Sequence, residues 1–184
     1  MTSDASRCTT SAAELPPTTI RRLVPADLAA YKTLRDEVLT AHPEAFTSDA
    51  APERSPDSYL SRLGLQRPEG GEFTLGAWQM GELIGAVSCE RDARTKVQHI
   101  GHIIGMMVRT RTQGTGVGRE LLAACIAQAR ETQGLVMLTL TVTAGNRAAV
   151  HLYERAGFVH YGSLPRAIRV SGEYHAKDHM VLAL

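Results

Sequence analysis

Three glycines at alternate positions mark the segment Gln113–Arg119, which reads Gln-Gly-Thr-Gly-Val-Gly-Arg between an apolar stretch and an amphipathic one. Glycines leave successive backbone N–H groups uncovered. Such groups at a helix N-terminus, with the helix dipole behind them, attract a phosphate or pyrophosphate. Arg119 adds a positive charge in the first turn of the helix that follows. The segment therefore predicts a binding site for a phosphorylated ligand.

Two common phosphate-binding motifs do not fit this spacing. A Walker A loop requires Gly-Lys-Ser/Thr at its end, whereas Gly118 is followed by Arg119 and Glu120. A dinucleotide fingerprint requires Gly-x-Gly-x-x-Gly and an acidic residue at the end of the next strand. This chain has Gly-x-Gly-x-Gly instead, and the strand predicted at Val136–Val142 is followed by Thr-Ala-Gly. Both motifs are therefore excluded.

A third family of binding loops matches in two separate segments. Met106–Val108 followed by Gln113-x-x-Gly116-x-Gly118 resembles the acetyl-CoA pyrophosphate loop of the GNAT superfamily of N-acetyltransferases. Farther along, Asn146–Phe158 reads Asn, a short helix that carries Tyr153, then Gly-Phe, which resembles the family's second signature. Order, spacing and residue types agree, and the resemblance covers Ile20–Leu184.

The resemblance implies acetyl-CoA as co-substrate and no metal. Pantetheine carries amides, so it can pair with an exposed strand edge as a peptide does. The backbone of Met106 and Val108 is the edge expected to bind it, and the pyrophosphate is expected over the N–H groups of Gly114 through Arg119. The full set of implied cofactor-binding residues is Met106, Met107, Val108, Gln113, Gly114, Thr115, Gly116, Val117, Gly118, Arg119, Asn146 and Tyr153.

Two positions depart from the family's pattern. Gln113 stands where the family often has arginine, and Thr110 where it often has proline. Because Gln113 carries no charge, part of the attraction for phosphate must come from Arg119, from Arg111 or from the backbone. The alternative for Arg109 and Arg111 is that both are solvated surface residues.

Acetyl transfer from a thioester to an amine requires a neutral amine and a proton for the leaving thiolate. A phenol keeps its proton at neutral pH and can donate it, and the resemblance makes Tyr153 this general acid. Without the resemblance, Tyr153 would be interpreted as a half-buried helix tyrosine bonded to water. Asn146 suits either a hydrogen bond to the cofactor or a cap on the following helix.

The group that takes the proton of the amine is left open by the sequence. The candidates are Glu90, His99, His102, Glu173 and His175. No acyl-enzyme intermediate is expected, because Cys89 and Cys125 lack a His/Asp arrangement that would activate them.

The predicted function is transfer of an acetyl group from acetyl-CoA to a primary amine by direct attack on the thioester. Two alternatives stay open: a non-catalytic acyl-CoA-binding or sensor module of the same fold, and a phosphate-binding enzyme unrelated to coenzyme A. Acceptor selection is expected in the segments Ala41–Gly71 and Leu164–Asp178, the latter as a hairpin-like excursion. The acceptor is a small-molecule or peptide amine, and its identity is left open.

The elements that position these residues follow from hydrophobic periodicity and breakers. The first half predicts a strand at Ile20–Leu23, a helix after Pro25, a loop at His42–Pro56, a short helix at Asp57–Leu65, and a hairpin of Phe73–Trp78 and Leu83–Cys89. The second half predicts a strand at His99–Val108, a helix from Gly118, a strand at Val136–Val142 buried on both faces, a helix at Ala148–Ala156, a strand from Phe158 and a last strand at His179–Leu184.

These elements predict an α/β fold: one mixed, mostly antiparallel twisted sheet with helices on both faces. Strand, loop, helix and strand around the glycines form a βαβ crossover, which gives a parallel pair. Glycine inside a strand often marks a bulge, and the strand His99–Val108 contains Gly101 and Gly105. The resemblance implies that a bulge there splays the two parallel strands apart.

Composition limits the class of protein. The chain has 184 residues and a net charge of +1, so bulk electrostatics give no reason to expect nucleic-acid or membrane binding. One domain is predicted at residues 19–184, preceded by a mobile tail at residues 1–18 that lacks the apolar core of a signal peptide. Three scattered cysteines predict neither disulfides nor a zinc site. A cytoplasmic, metal-free protein is the simplest interpretation, and the resemblance suggests a homodimer.

Overall fold

The computed structural model describes residues 16–63 and 71–184. The predictions for residues 1–15 and 64–70, including Cys8 and most of the predicted tail, lie outside the described residues. Of that tail, residues 16–18 are described, and the side-chain amide of Gln79 donates to Pro16 O at 3.1 Å and to Thr18 Oγ1 at 3.0 Å.

Seven strands of the described chain form one sheet in the order β1-β2-β3-β4-β5-β7-β6. Neighbours are antiparallel except β4 and β5, which are parallel. The mixed, mostly antiparallel sheet predicted from the sequence is therefore confirmed. The strands are β1 (Thr19–Arg22), β2 (Phe73–Gln79), β3 (Glu82–Arg91), β4 (Ile100–Val108), β5 (Met137–Thr143), β6 (Val159–Val170) and β7 (Glu173–Ala183).

Helices cover both faces of this sheet. They are α1 (Leu28–Ala41), α2 (Val117–Glu131) and α3 (Arg147–Arg155), with single-turn or short 3₁₀ segments at Pro25–Asp27, Pro43–Ala45, Pro56–Leu63 and Thr110–Thr112. Leu34 and Val38 of α1 pack with Ala86 and Met107 of the sheet in one core. The stripe predicted on α2, Leu121, Leu122, Cys125, Ile126 and Ala129, is buried in the other core together with Tyr153 of α3. We call the two sides the α1 face and the α2 face.

The parallel strands β4 and β5 pair over a short length and then part. Their register begins at Ile100↔Met137 and ends at His102↔Thr139, although β4 continues to Val108 and β5 to Thr143. The pairing of β4 with β3 shifts near Gly105, which has a φ of +57°. A bulge bends its strand and increases the local twist, so Gly105 accounts for the predicted separation of the two strands.

Gly101 is a correction to the bulge prediction. Its pairing with Leu138 is regular, and a Cβ there would lie 2.7 Å from Leu138 Cδ2 and 3.1 Å from Cys89 Sγ. The residue is glycine because the side chains of the neighbouring strands fill the space above it. It therefore permits close packing and does not bend the strand.

The prediction that β5 is buried on both faces is wrong. Leu138, Leu140 and Val142 are buried on the α2 face, whereas Thr141 on the opposite face is exposed. The reason is that α1 packs against β3 and β4 and leaves the α1 face of β5 open. The openness of this face gives the molecule room for a ligand beside the parted strands.

The predicted excursion Leu164–Asp178 is part of two long strands, β6 and β7, which meet at a turn through Ser171 and Gly172. The last strand therefore begins at Glu173, not at His179. Pairing is irregular between Leu164 and Ile168, where Arg166 has a φ of +54°. The sequence did not predict that this segment is part of two strands, because polar side chains alternate along it.

Candidate active site

The loop between β4 and α2 presents a row of unpaired backbone donors. Within the described chain, the six N–H groups of residues 114–119 donate to no acceptor, whereas Gln113 N–H before them bonds to Thr110 O and Glu120 N–H after them bonds to Gly116 O. Gly114 and Gly116 hold φ values of +79° and +99°, which are strained for other residues. These six donors converge at the N-terminus of α2, where the helix dipole is positive.

Side chains fasten this loop to the end of β4. Thr115 Oγ1 donates to Thr112 O at 2.7 Å, and Thr112 Oγ1 donates to Arg109 O at 3.0 Å. Gln113 Nε2 donates to Val108 O at 3.2 Å. The uncharged residue at position 113 therefore braces the loop against the strand, a contribution that the sequence did not reveal.

The arginines near the loop differ in what they contact. Arg109 Nη1 lies 2.6 Å from Glu37 Oε2 and 3.1 Å from Glu82 Oε1, and Arg111 pairs with the same Glu82. Both are thus neutralised by carboxylates of α1 and β3. Arg119 has no ion pair in the described part of the chain, and its Nη2 lies 3.8 Å from the place where a Cβ of residue 116 would be. Arg119 is the cation that remains available beside the free amides.

Gly118 brings the start of α2 close to β4 and α3. A Cβ at this position would be 3.6 Å from Met106 Cε, 3.7 Å from Val108 Cγ2 and 3.7 Å from Leu152 Cδ2, which are ordinary contact distances. The free amides of the loop therefore begin directly beside the end of β4.

The hydrogen-bond pattern of β4 shows which of its backbone groups point away from β3. Arg109 N–H bonds to Ile84 O of β3, so the alternation of an antiparallel ladder directs the amide groups of Val108 away from β3. Met106, two residues earlier, has the same orientation. Met107 instead pairs with Ala86 and buries its side chain in the core under α1. The exposed edge of β4 is therefore formed by Met106 and Val108. Met107 lies between them and anchors the strand through its buried side chain.

Tyr153 is buried in the α2-face core. It is 6% exposed, packs edge-to-face on Phe158 with 6.0 Å between ring centroids, and shares its core with Ile103 of β4 and Val142 of β5. Burial raises the pKa of Tyr153 to about 12. Within the described ranges the Tyr153 hydroxyl makes no hydrogen bond. It is also not one of the fully buried polar atoms without a partner, so it keeps contact with solvent. The phenol is thus a protonated donor on the α2 face, in the core that also contains residues of both parted strands.

Asn146 caps α3, which answers one of the two uses predicted for it. Its Oδ1 accepts a hydrogen bond from Ala149 N–H at 3.1 Å, and its own N–H bonds to Thr143 O at 2.8 Å. These contacts turn the chain sharply from β5 into the helix that carries Tyr153. No acceptor among the described residues bonds to the side-chain NH₂ group of Asn146, which can therefore donate to a ligand.

The five candidate bases occupy different parts of the fold. Glu90 and His102 are register partners on β3 and β4, beside the point where the parallel strands part. His99 precedes β4, and its carbonyl accepts from the N–H of residue 136. Glu173 and His175 lie at the start of β7, near the turn of the long hairpin. The structure therefore brings Glu90 and His102 together and places the other three elsewhere.

An open cavity of about 420 Å³ adjoins these two residues. Its lining includes Ser61 and Arg62 from the segment after α1, Glu90 and Asp92 from the end of β3, and His102 from β4. Arg62 Nη1 lies 3.4 Å from Glu90 Oε1. The cavity has the size of a small-molecule site, and carboxylates, guanidinium groups and an imidazole give it a mixed charge.

Sequence reasoning missed a buried polar network on the α1 face. Lys177 of β7 is 4% exposed, and its Nζ donates to Ala45 O and to Thr143 Oγ1, both at 2.8 Å. Thr143 Oγ1 donates to Glu44 O at 2.6 Å. Burial lowers the pKa of Lys177. The network fastens the short turn Pro43–Ala45 across β5 and β7. No sequence signal marked it, because a lysine among polar neighbours is typical of a surface.

The two described cysteines are unsuited to nucleophilic chemistry. Cys89 and Cys125 are buried, and burial raises the pKa of Cys89 to about 12 and that of Cys125 further still. The described residues contain no group of three His, Cys, Asp or Glu side chains placed to hold a metal ion. None of the helices in the described part of the chain is long and apolar enough to cross a membrane.

Comparisons with known proteins agree with this geometry. The Acetyltransferase (GNAT) family matches residues 31–158, which is most of the chain. Mycothiol acetyltransferase of Salinispora tropica is 30% identical over 140 residues, which cover 75% of this chain and 43% of that protein. Mycothiol acetyltransferase of Cellulomonas flavigena is 30% identical over 168 residues, which cover 86% of this chain and 45% of that protein. The chain thus spans less than half the length of these relatives.

Solved structures show the same fold. An acetyltransferase of the GNAT family from Streptococcus pneumoniae superposes with a TM-score of 0.82 at 26% identity, covering 91% of this chain and 100% of that one. The acetyltransferase yncA of Salmonella typhimurium, solved with its cofactor acetyl-CoA, gives a TM-score of 0.80 at 22% identity, covering 91% of this chain and 94% of that one.

Proposed function

Because this chain belongs to the GNAT family of acetyltransferases, we propose that it transfers an acetyl group from acetyl-CoA to a primary amine by direct attack on the thioester. The observation that carries the proposal is the row of six free amides at the start of α2, which lies beside the exposed edge of β4. A diphosphate with a long amide-bearing arm has the shape and chemistry that this arrangement accepts.

Backbone N–H groups, more than charged side chains, hold coenzyme A. Its pyrophosphate accepts hydrogen bonds from the amides of Gly114 through Arg119, and the guanidinium of Arg119 adds attraction. The pantetheine arm crosses Gly118 and pairs with the outward backbone groups of Met106 and with Val108 N–H, since Gln113 Nε2 already bonds to Val108 O. Gln113 braces the loop by its bond to Val108 O. Asn146 contributes its free NH₂ group.

Tyr153 meets the leaving thiolate from the α2 face. Its pKa of about 12 keeps the proton on the phenol at all physiological pH values. A thiol has a pKa near ~8.5, so complete transfer of the phenolic proton to the thiolate would be uphill by about 5 kcal/mol. Tyr153 therefore donates a hydrogen bond as the C–S bond breaks, and it gives up its proton only as the amide nitrogen loses one.

The acceptor is a primary amine of a small molecule or a peptide. The cavity that His102 lines is about 420 Å³ in volume, and carboxylates and guanidinium groups both contribute to its lining, so it offers polar partners of either charge to an acceptor. Relatives named mycothiol acetyltransferase make the amine acceptor of that reaction one compound to test. Because the chain covers less than half of those relatives, the acceptor panel includes other classes of amine: amino acids, aminoglycosides, polyamines and peptide N-termini.

Release of free thiol from acetyl-CoA against this panel tests the proposal. We expect amine-dependent thiol release at one or more acceptors, with the acetylated amine identified by mass spectrometry. Binding of acetyl-CoA without thiol release at any acceptor would favour the sensor alternative. Stabilisation of the protein by a nucleotide but not by acetyl-CoA would favour a phosphate-binding enzyme of another kind.

A further inference from the structure

We propose that His102 is the general base of the transfer reaction, and that Thr139 positions it. This inference rests on the proposed function. It assigns the residue that removes a proton from the acceptor amine, which the sequence left open among five candidates. The supporting observations are the place of His102 in the sheet, its hydrogen bond, and the groups that surround it.

His102 lies where β4 and β5 part, and it lines the cavity described above. It forms the last registered pair with Thr139 before β4 and β5 part. Its neighbour Ile103 is buried in the α2-face core, so the alternation of a strand directs His102 to the α1 face. There it is exposed and lines the 420 Å³ cavity.

The hydrogen bonds around Thr139 set the form of the imidazole. Thr139 Oγ1 lies 2.7 Å from His102 Nδ1 and 3.5 Å from Gly101 O. In our proposal the threonine hydroxyl accepts from Nδ1–H, and the carbonyl of Gly101 is within reach as the acceptor for the hydroxyl proton. Neutral His102 then carries its proton on Nδ1 and presents the lone pair of Nε2 to the cavity. This is the tautomer that a base requires.

Charged groups around His102 come from three segments. From β3, Glu90 faces it across the strand pair and is bound to Arg62 of the segment after α1. From the turn after β3, Asp92 faces it and is bound to Arg94 at 2.5 Å. From β5, the neighbour is the uncharged Thr139. Glu72 and Arg91 complete the charged lining of the cavity. Each of the two facing carboxylates is therefore paired with an arginine, and His102 faces ion pairs rather than unpaired negative charge.

The proton balance of the reaction is complete with this residue. Nε2 takes one proton from the ammonium group, directly or through water, and passes it to solvent. The amine lone pair then forms the C–N bond as the C–S bond breaks. The second proton leaves the nitrogen as the amide forms, and one proton reaches the thiolate by way of Tyr153. Ammonium and acetyl-CoA thus give amide, coenzyme A thiol and one released proton.

The test compares His102→Gln with the matched control His99→Gln, which changes the histidine just before β4. For the wild type, we expect kcat/KM to fall at acidic pH as a single group protonates. His102→Gln should lower kcat about a hundredfold, the lower range for loss of a general base, remove that acidic limb, and leave the Kd of coenzyme A within twofold. His99→Gln should keep the wild-type profile.

Nitrogen chemical shifts of the histidine ring supply a second readout that is independent of turnover. We expect the Nδ1–H tautomer for His102 in the wild type and its loss in Thr139→Val, with a tenfold lower kcat. An unchanged pH profile in His102→Gln, or an Nε2–H tautomer in the wild type, would overturn the assignment. Absence of turnover in the wild type at every amine would instead count against the proposed function.

Discussion

Tyr153 and His102 lie on opposite faces of the sheet, on either side of the gap between β4 and β5. Tyr153 belongs to the core under α2, together with Ile103, whereas the adjacent His102 projects to the α1 face and bonds to Thr139. The two groups are therefore separated by the strands that hold the thioester in our proposal. The amine loses its proton on one face, and the thiolate is stabilised from the other.

Removal of the Tyr153 hydroxyl should affect the chemical step and not cofactor binding. We expect Tyr153→Phe to lower kcat by about a hundredfold, because the leaving thiolate loses its hydrogen-bond donor, while the Kd of acetyl-CoA changes less than twofold. Tyr161→Phe, at an exposed tyrosine of β6, is the control. Steady-state kinetics and calorimetry measure the two effects. Wild-type kcat in Tyr153→Phe would remove the residue from the mechanism.

The affinity for acetyl-CoA should depend more on the backbone conformation of the loop before α2 than on the side chains that the loop carries. Gly116 has a φ of +99°, so alanine at this position costs about 1–2 kcal/mol or forces the free amides out of alignment. We expect Gly116→Ala to raise the Kd of acetyl-CoA at least tenfold. Gly145→Ala is the matched control, because Gly145 has an ordinary φ and open space around it. Equal affinities of the two variants for acetyl-CoA would contradict binding of the pyrophosphate by the backbone N–H groups of residues 114–119.

Arg119 should account for most of the salt dependence of cofactor binding. Its guanidinium lies beside Gly116, whereas Arg109 and Arg111 are paired with carboxylates. We expect Arg119→Gln to weaken acetyl-CoA binding about threefold to tenfold at low salt and to flatten the dependence on ionic strength. Arg130→Gln, in the last turn of the same helix, should change neither. A steep dependence that survives in Arg119→Gln would point to another cation.

Lys177 should make stability depend on pH. Burial lowers its pKa, so the native state releases this proton at a lower pH than the unfolded chain, whose lysines titrate near ~10.4. Between the two pKa values the unfolded state binds more protons, and the free energy of unfolding therefore rises with pH. We expect the difference in unfolding free energy between wild type and Lys177→Met to grow as the pH approaches about 10.4.

Denaturant titrations at several pH values measure that difference. Lys96→Met, at an exposed lysine in the turn between β3 and β4, is the control and should give a difference that is independent of pH. A flat difference for Lys177→Met would show that the native state tolerates the charged form, with the two hydrogen bonds of Lys177 offsetting its burial.

The sequence predicted the order of most helices and strands, and the helix start after the glycines, because these depend on local signals. Alternating glycines, an apolar stripe on α2 and the Asn146 cap are properties of neighbouring residues. What it could not predict depends on distant partners. Gly101 is explained by Cys89 and Leu138 on neighbouring strands. His102 could not be chosen among the candidate bases, because its hydrogen-bond partner Thr139 lies 37 residues away and meets it only through the parallel pairing.

The central claim is that free backbone amides before α2 bind the pyrophosphate of coenzyme A, and calorimetric titration tests it most directly. Coenzyme A and pantetheine, which lacks the pyrophosphate, are titrated into the full chain under the same conditions. We expect one coenzyme A bound per chain, at least a hundredfold more tightly than pantetheine, a difference of about 2.7 kcal/mol. Absence of coenzyme A binding, or equal affinity for the two compounds, would contradict the account.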